Sequence, residues 1–162
     1  MASDIFAKIG DIKGESLDDK HKDEIEVLSF SWGVTNPAVI SGGSGGGGGA
    51  GKATFHDLSI VHNLDKASPL LLRACATGMH IKDAVITHRK AGKGQQEYLT
   101  FKFRDVVISS FQTGGSEETP VPTDSVSFSF AKLEVEYKPE KSDGSLGAAV
   151  DFRYDLKTNK TF

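Results

Sequence analysis

Cysteine is all but absent: Cys75 is the single thiol in 162 residues, so no disulfide can close within the chain. Folding therefore makes no demand for an oxidising compartment. Long apolar runs are missing as well. No stretch approaches the roughly 20 apolar residues that a membrane-spanning helix needs. The N-terminal run Met1-Ala-Ser-Asp-Ile-Phe-Ala-Lys is broken by Asp4 and Lys8, so it lacks the apolar centre of a signal peptide. An excess of one charge sign is the third absence. Nineteen Lys and Arg against twenty-two Asp and Glu leave −3, which supplies no electrostatic reason to expect nucleic acid or an anionic membrane as partner, and the lack of a long apolar run argues against membrane insertion. The expectation is a protein folded in the cytoplasm, which leaves the cell only if another machine carries it.

What is present is strand. A chain of this length fits one domain, residues 1–162, able to bury about two thirds of the surface it exposes when unfolded. Apolar residues recur with period two and are rich in Val, Ile and Phe, the pattern of half-buried strands. Ile5 to Ile9 forms a short first strand, closed by Gly10-Asp11 and Gly14. In Glu24 to Thr35, Ile25 and Val27 share one face before Leu28, Phe30 and Trp32 take the other. Leu99, Phe101 and Phe103 give way to Val106 and Ile108, and Val126, Phe128 and Phe130 to Leu133, Val135 and Tyr137. A one-residue slip flips every side chain, so each switch asks for a bulge or for a strand shared between two packing surfaces. That predicts a mainly β protein, a barrel of two packed antiparallel sheets. The last strand alternates cleanly, Val150, Phe152, Tyr154 and Leu156 against Asp151, Arg153, Asp155 and Lys157, which predicts one buried and one wet face.

One helix interrupts the strands. Ser68 suits an N-cap, Pro69 the first helical position and Gly78 a left-handed C-terminus. Leu71, Leu72, Cys75 and Met79 make its apolar stripe. Residues 36–52 form an extended loop in which eight of the ten residues from Gly42 to Gly51 are glycine. Glycine carries the largest ordering cost, so such a loop is either held by a contact or left loose.

The chemical motifs in this loop have cheaper explanations. Gly46-x-x-x-x-Gly51-Lys52 opens like a phosphate-binding loop, but Ala53 stands where a Ser or Thr would bind magnesium. The residues after it also read as strand, where that motif needs a helix. Gly42-Gly-Ser-Gly-Gly46 formally matches a nucleophile elbow without its strand and helix. His21, His56, His62, His80 and His88 lack metal-ligand spacing, and Cys75 reads as a small core residue. His88-Arg89-Lys90 with Lys93, at a hairpin end Ala91 to Gly94, is too small a basic cluster to argue for nucleic acid. No enzyme, cofactor or metal is expected.

Several stretches, in order along the chain, carry a resemblance. They are Ile5-Phe-Ala-Lys-Ile-Gly-Asp-Ile-Lys-Gly-Glu-Ser and His21-Lys-Asp-Glu-Ile-Glu-Val-Leu-Ser-Phe-Ser-Trp-Gly, then Gly49-Ala-Gly-Lys and Lys66-Ala-Ser-Pro-Leu-Leu-Leu-Arg-Ala-Cys-Ala-Thr-Gly. Tyr98-Leu-Thr-Phe-Lys-Phe-Arg-Asp-Val-Val-Ile-Ser-Ser-Phe and Val126-Ser-Phe-Ser-Phe-Ala-Lys-Leu-Glu-Val-Glu-Tyr complete the series. Together they resemble the haemolysin-coregulated protein (Hcp) family of type VI secretion. The resemblance implies a two-sheet barrel with one helix, six copies of which close into a ring. It further implies that rings stack into the inner tube of a contractile injector in a Gram-negative bacterium. Effector proteins would travel in the lumen, and the tube's other partners would be the spike (valine-glycine repeat) protein and the contractile sheath. The subunit would then be secreted without a cleavable signal peptide. By the same likeness Gly45, Gly46, Gly47, Gly48, Gly49, Ala50, Gly51 and Lys52 form the loop that touches the next ring.

If Leu28, Phe30 and Trp32 fill the core, Ser29 and Ser31 point away from it. They are the candidates to line the lumen, an ordinary solvent face being the plain alternative. A different class of function, a monomeric barrel holding an apolar small molecule in its mouth, wants a cavity that these aromatic residues would fill.

Overall fold

The structure, a computed structural model, describes residues 3–37, 52–90 and 94–162. In chain order the elements are β1 (Ser3–Ile9), β2 (Ile25–Glu26), β3 (Ser29–Ser31), β4 (Val34–Thr35), β5 (Thr54–Phe55), β6 (Leu58–Asn63) and α1 (Ser68–Thr77). Then follow β7 (His80–Lys90), β8 (Glu97–Gly114), β9 (Thr123–Ser129), β10 (Lys132–Tyr137), β11 (Val150–Asp155) and β12 (Lys160–Thr161). The described residues thus make a mainly β protein with two antiparallel sheets and one helix, the class expected. The large sheet runs β12-β11-β10-β8-β7-β1-β2, with β9, β6 and β3 branching in turn from β8; β4 and β5 form the small one.

The strand β8 explains the face switches. Its residues Leu99 to Arg104 pair with β10, whereas Val107 to Gly114 pair with β9, and β7 lies along its other edge. Between the two halves Asp105 takes a left-handed backbone, φ 54°. Phe101 and Phe103 are buried before that point, and Val106 and Ile108 after it. The β9–β10 run makes the matching change at Phe130-Ala131, from Val126 and Phe128 to Leu133. Each strand changes its inward face where it changes its neighbour, because one backbone serves two packing surfaces.

The third switch, between Glu24 and Thr35, has the same cause. Val27 N donates to Ile5 O at 2.9 Å, and the next amide, Leu28 N, donates to Val61 O at 2.8 Å. The chain there crosses from β1 to β6. Phe30 and Trp32 turn inward as expected and meet Phe101 edge-on, at centroid distances of 5.4 and 5.6 Å. Leu28, expected with them, is 57% exposed because it sits at the crossing itself. The centre is aromatic: Phe103 lies 5.1 Å from Phe128 and 4.7 Å from Phe130, among fully buried Leu58, Ile60, Ile86 and Leu133.

The helix also departs from expectation at its start. Ala67, not Ser68, is the N-cap residue, and no side chain caps the helix. Ser68 is buried, donating its hydroxyl to Asp124 on β9 and accepting from Asp65 N at 3.1 Å. The buried stripe is Ser68, Leu71 and Ala74, while Leu72 and Met79 are about half exposed. Gly78 does end the helix left-handed, at φ 64°. Fully buried His62 faces Asp124 at 3.4 Å and Asp65 at 3.9 Å, and burial raises the pKa of Asp65.

Residues 14–24 fold back over β1. Gly14 is required there, since a Cβ would stand 2.5 Å from Glu24 O. Arg89, 2% exposed, bonds both Asp18 and Asp4 and holds the Asp18 carboxyl down at about 2. His21 stacks on Phe6 at 4.4 Å and reaches Glu24 and Glu97, each at 2.7 Å. Phe6 is thus covered by His21 and by the Arg89 guanidinium, 4.8 Å from its ring.

Candidate functional site

Ser29 and Ser31 are both exposed on β3. Register places them in longer rows. Ser29 stands opposite Val61, which is opposite Ser125 and then Gln112; Ser31 leads to Ser59, Ser127 and Ser110. Directly opposed residues of antiparallel strands share a face, and the Ser59–Ser127 hydroxyl bond of 2.7 Å joins two of them. A third row, Asn63, Thr123 and Gly114, extends the patch. The rows between, such as Phe30, Ile60 and Val126, face the core. The outer face of β3-β6-β9-β8 therefore carries mostly small hydroxyl and amide groups, with Val61 and Gly114 among them, and no charge in these three rows. Sequence reasoning found two members and missed the rest, although Ser125-Val-Ser-Phe-Ser129 carried the same alternation.

The other outward face is unlike it. Across β7-β8-β10-β11 the rows read Asp83, Arg104, Lys132, Asp155; then Val85, Lys102, Glu134, Arg153; then Thr87, Thr100, Glu136, Asp151. Beneath these, the inward rows carry the core outward along the sheet. Ile86 and Phe101 are buried, Val135 is half-buried, and Phe152 is 43% exposed. In the neighbouring row exposure climbs from half-buried Leu99 through Tyr137 to Val150 at 66%. The expected buried face of the last strand is corrected: within one copy of the chain, nothing covers Val150 and Phe152. Phe55, stacked on Tyr154 at 5.0 Å, reaches only the inner end of this wing. The sequence showed an apolar face correctly; what lies against it is not encoded in the alternation.

Gly45 to Gly51 of the expected contact loop lie outside the described residues. Lys52 is exposed, and β5 just after it pairs with β4, Thr35 opposite Thr54. The segment thus leaves from and returns to one two-stranded ribbon. The phosphate-loop reading fails on the same geometry, because β5 stands where a helix N-terminus would be needed. Among the described residues, no three His, Cys, Asp or Glu side chains gather as metal ligands, and no helix is long and apolar enough to cross a membrane.

An uncovered apolar wing, a neutral face and a charged face define a protein with three distinct surfaces for contact among its described residues. The family described as "Type VI secretion system effector, Hcp" matches residues 6–137, and the chain belongs to that family. Protein hcp1 of Pseudomonas aeruginosa is 44% identical over 161 residues, 98% of each chain. Among solved structures, Hcp1 from Salmonella typhimurium is similar at TM-score 0.80 and 36% identity, covering 100% of both chains. A type six secretion system protein superposes at TM-score 0.93 with 29% identity, over 99% of this chain and 100% of that one. A type VI secretion system effector from Yersinia pestis is 39% identical, with TM-score 0.75, over 94% of this chain and 99% of its own.

Proposed function

We propose that this chain is the inner-tube subunit of a type VI secretion system, a single β-barrel domain that acts by self-association. Six copies close into a ring, rings stack into a tube, and effector proteins travel in the lumen. The observation that carries this reading is the uncovered wing of β10 and β11. Its inward rows are continuous with the core yet end at Val150 and Phe152 in the open, as an interface does before its other half arrives. A heterologous contact that closes by rotation covers that wing on every copy at once.

The neutral face suits the lumen. Small uncharged groups such as Ser29, Ser31, Ser59 and Ser127 offer weak hydrogen bonding without a field that would trap charged cargo. The glycine segment ending at Lys52 is the inter-ring contact, and the spike and the contractile sheath are the tube's other partners. The subunit folds in the cytoplasm and is exported by the apparatus itself, without a cleavable signal peptide. Neither enzyme chemistry nor a cofactor enters this role.

Native mass spectrometry with negative-stain imaging tests the reading, the expected result being hexamers that appear as rings. A protein that stays monomeric at high concentration overturns it. Ser31→Trp tests the lumen assignment: ring formation persists while effector binding falls, and unchanged effector binding refutes that placement.

A further inference from the structure

One inward position of the wing is not apolar. The row that ends at Val150 runs back through Tyr137 and Leu99 to His88 on β7, with Ile5 of β1 beyond it. His88 Nε2 is buried and has no hydrogen-bond partner among the described residues. Its ring lies edge-on to Phe30, centroids 6.1 Å apart, and tilts against Tyr98 at 5.1 Å. Tyr98 is the residue left over where β7 and β8 slip register, between the Leu99 and Glu97 pairs, and it meets Tyr137 edge-on at 6.4 Å. Aromatic contact thus passes from His88 out to the open part of the wing.

The charges around His88 offer an added proton little. From β1 the facing residue is Ile5 and from β3 it is Phe30, neither of which ionises. On its own side of the sheet Lys90 lies 5.5 Å from the centre of the Tyr98 ring, already paired with Glu140. Arg89, with Asp4 and Glu97 opposite it and Asp18 bonded to it, belongs to the other side. Lys138, next to Tyr137, is paired with Glu136 on the charged face. Burial has already lowered the pKa of His88 from the ordinary 6.5. In a free copy, water can still approach over Tyr137 and Val150, both exposed. A copy seated on the wing removes that water and so disfavours the imidazolium further.

We propose that His88 makes ring closure depend on pH: the neighbouring copy seats on the wing when His88 is neutral, and a proton taken up there opposes it. This rests on the tube reading and adds regulation to the same surface. The sign follows from linkage. Closure disfavours the charged form, so closure is strongest above the pKa that His88 has in a free copy and weakens as pH falls through it. The association constant then drops by up to about tenfold per pH unit for each contact.

Sedimentation of the full chain at pH 7.5 and pH 5.5 tests this. The parent is expected to dissociate in part at pH 5.5, whereas His88→Gln, which takes up no proton, should associate alike at both. A parent indifferent to pH, or a His88→Gln protein that loses as much association in acid, overturns the switch and leaves the tube reading intact. A parent that is monomeric at pH 7.5 overturns both. Labelling with diethylpyrocarbonate at pH 7.5, read by mass spectrometry, needs no change at position 88 and decides the matter if His88→Gln fails to fold. His88 should react severalfold more slowly in the parent than in Phe152→Glu, whose wing is left open; equal rates overturn the proposal.

Discussion

The two outward faces of this molecule share strand β8 and almost nothing else. Over Val107 to Gly114 its outer side meets serines and an asparagine-threonine row; over Thr100 to Arg104 it meets a lattice of Lys, Arg, Asp and Glu. Both are exposed, so solubility alone would be served by charge on each. The difference teaches that exposure and hydration are separate properties. The charged face offers strong, salt-sensitive contacts to water or a charged neighbour, and the neutral one offers only weak hydrogen bonds, as the lumen proposed above would require.

The largest disturbance of this contrast comes from beneath it. Phe103 is fully buried under the junction, and Phe103→Ala should cost about 3–5 kcal/mol in urea unfolding, loosening both faces together. Phe152→Glu separates assembly from folding. Because Phe152 is half exposed in one copy, its unfolding free energy should change by no more than about 0.5 kcal/mol. Self-association, followed by sedimentation, should weaken by about 30-fold or more if this ring is an anchor of the interface. An equal loss of both would mean that β11 belongs to the monomer's core after all.

Acid sharpens the comparison from the covered side of β1. The Asp18 carboxyl, held at about 2 by Arg89 against an ordinary 3.8, gives stability that is present above pH 4 and lost as pH falls towards 2. Asp18→Asn should therefore be less stable than the parent at neutral pH. The two unfolding curves should converge near pH 2, as circular dichroism can follow. The smallest effect tests the charged lattice. Glu134→Lys sets like charges beside Lys102 and Arg153 and should cost roughly 0.2–1 kcal/mol per pair. Added salt should shrink that cost. Ser127→Ala on the neutral face should show no salt dependence in the same assay.

Period-two alternation marked β1, β8, β9, β10, β11 and the three face switches, and glycine's tolerance of a left-handed backbone marked Gly78 as the end of the helix, whereas β7, which lies between β1 and β8 in the large sheet, carries no alternation that the sequence reading used. The switches at Phe103–Val106 and Phe130–Leu133 were legible as facts about parity. Their cause, the exchange of β10 for β9 along β8, depends on pairing between residues far apart in sequence. Leu28 and Ser68 were misplaced for a related reason. A strand crossing turns Leu28 outward, and the carboxylate of Asp124, 56 residues on, takes the hydroxyl that would otherwise cap the helix. Ser29 and Ser31 were found, whereas the strands that carry Ser59, Ser110 and Ser127 alongside them are joined only by long-range register. The open side of Val150 and Phe152 lay beyond any such reading, since a stripe of apolar residues looks the same whether its cover comes from the same copy or from another.

The unbroken passage of β8 through both halves has a mechanical meaning. In the tube role proposed above, a subunit would have to transmit thrust from one end to the other without coming apart. Here eighteen residues of covalent backbone run across the seam between the two packing surfaces, paired with β7 on one edge from Glu97 to Val107 and on the other with β10 and then β9. Force entering along this girder loads many hydrogen bonds at once in shear instead of peeling them singly. The seam that divides the surface chemistry is, for the skeleton underneath, no seam at all.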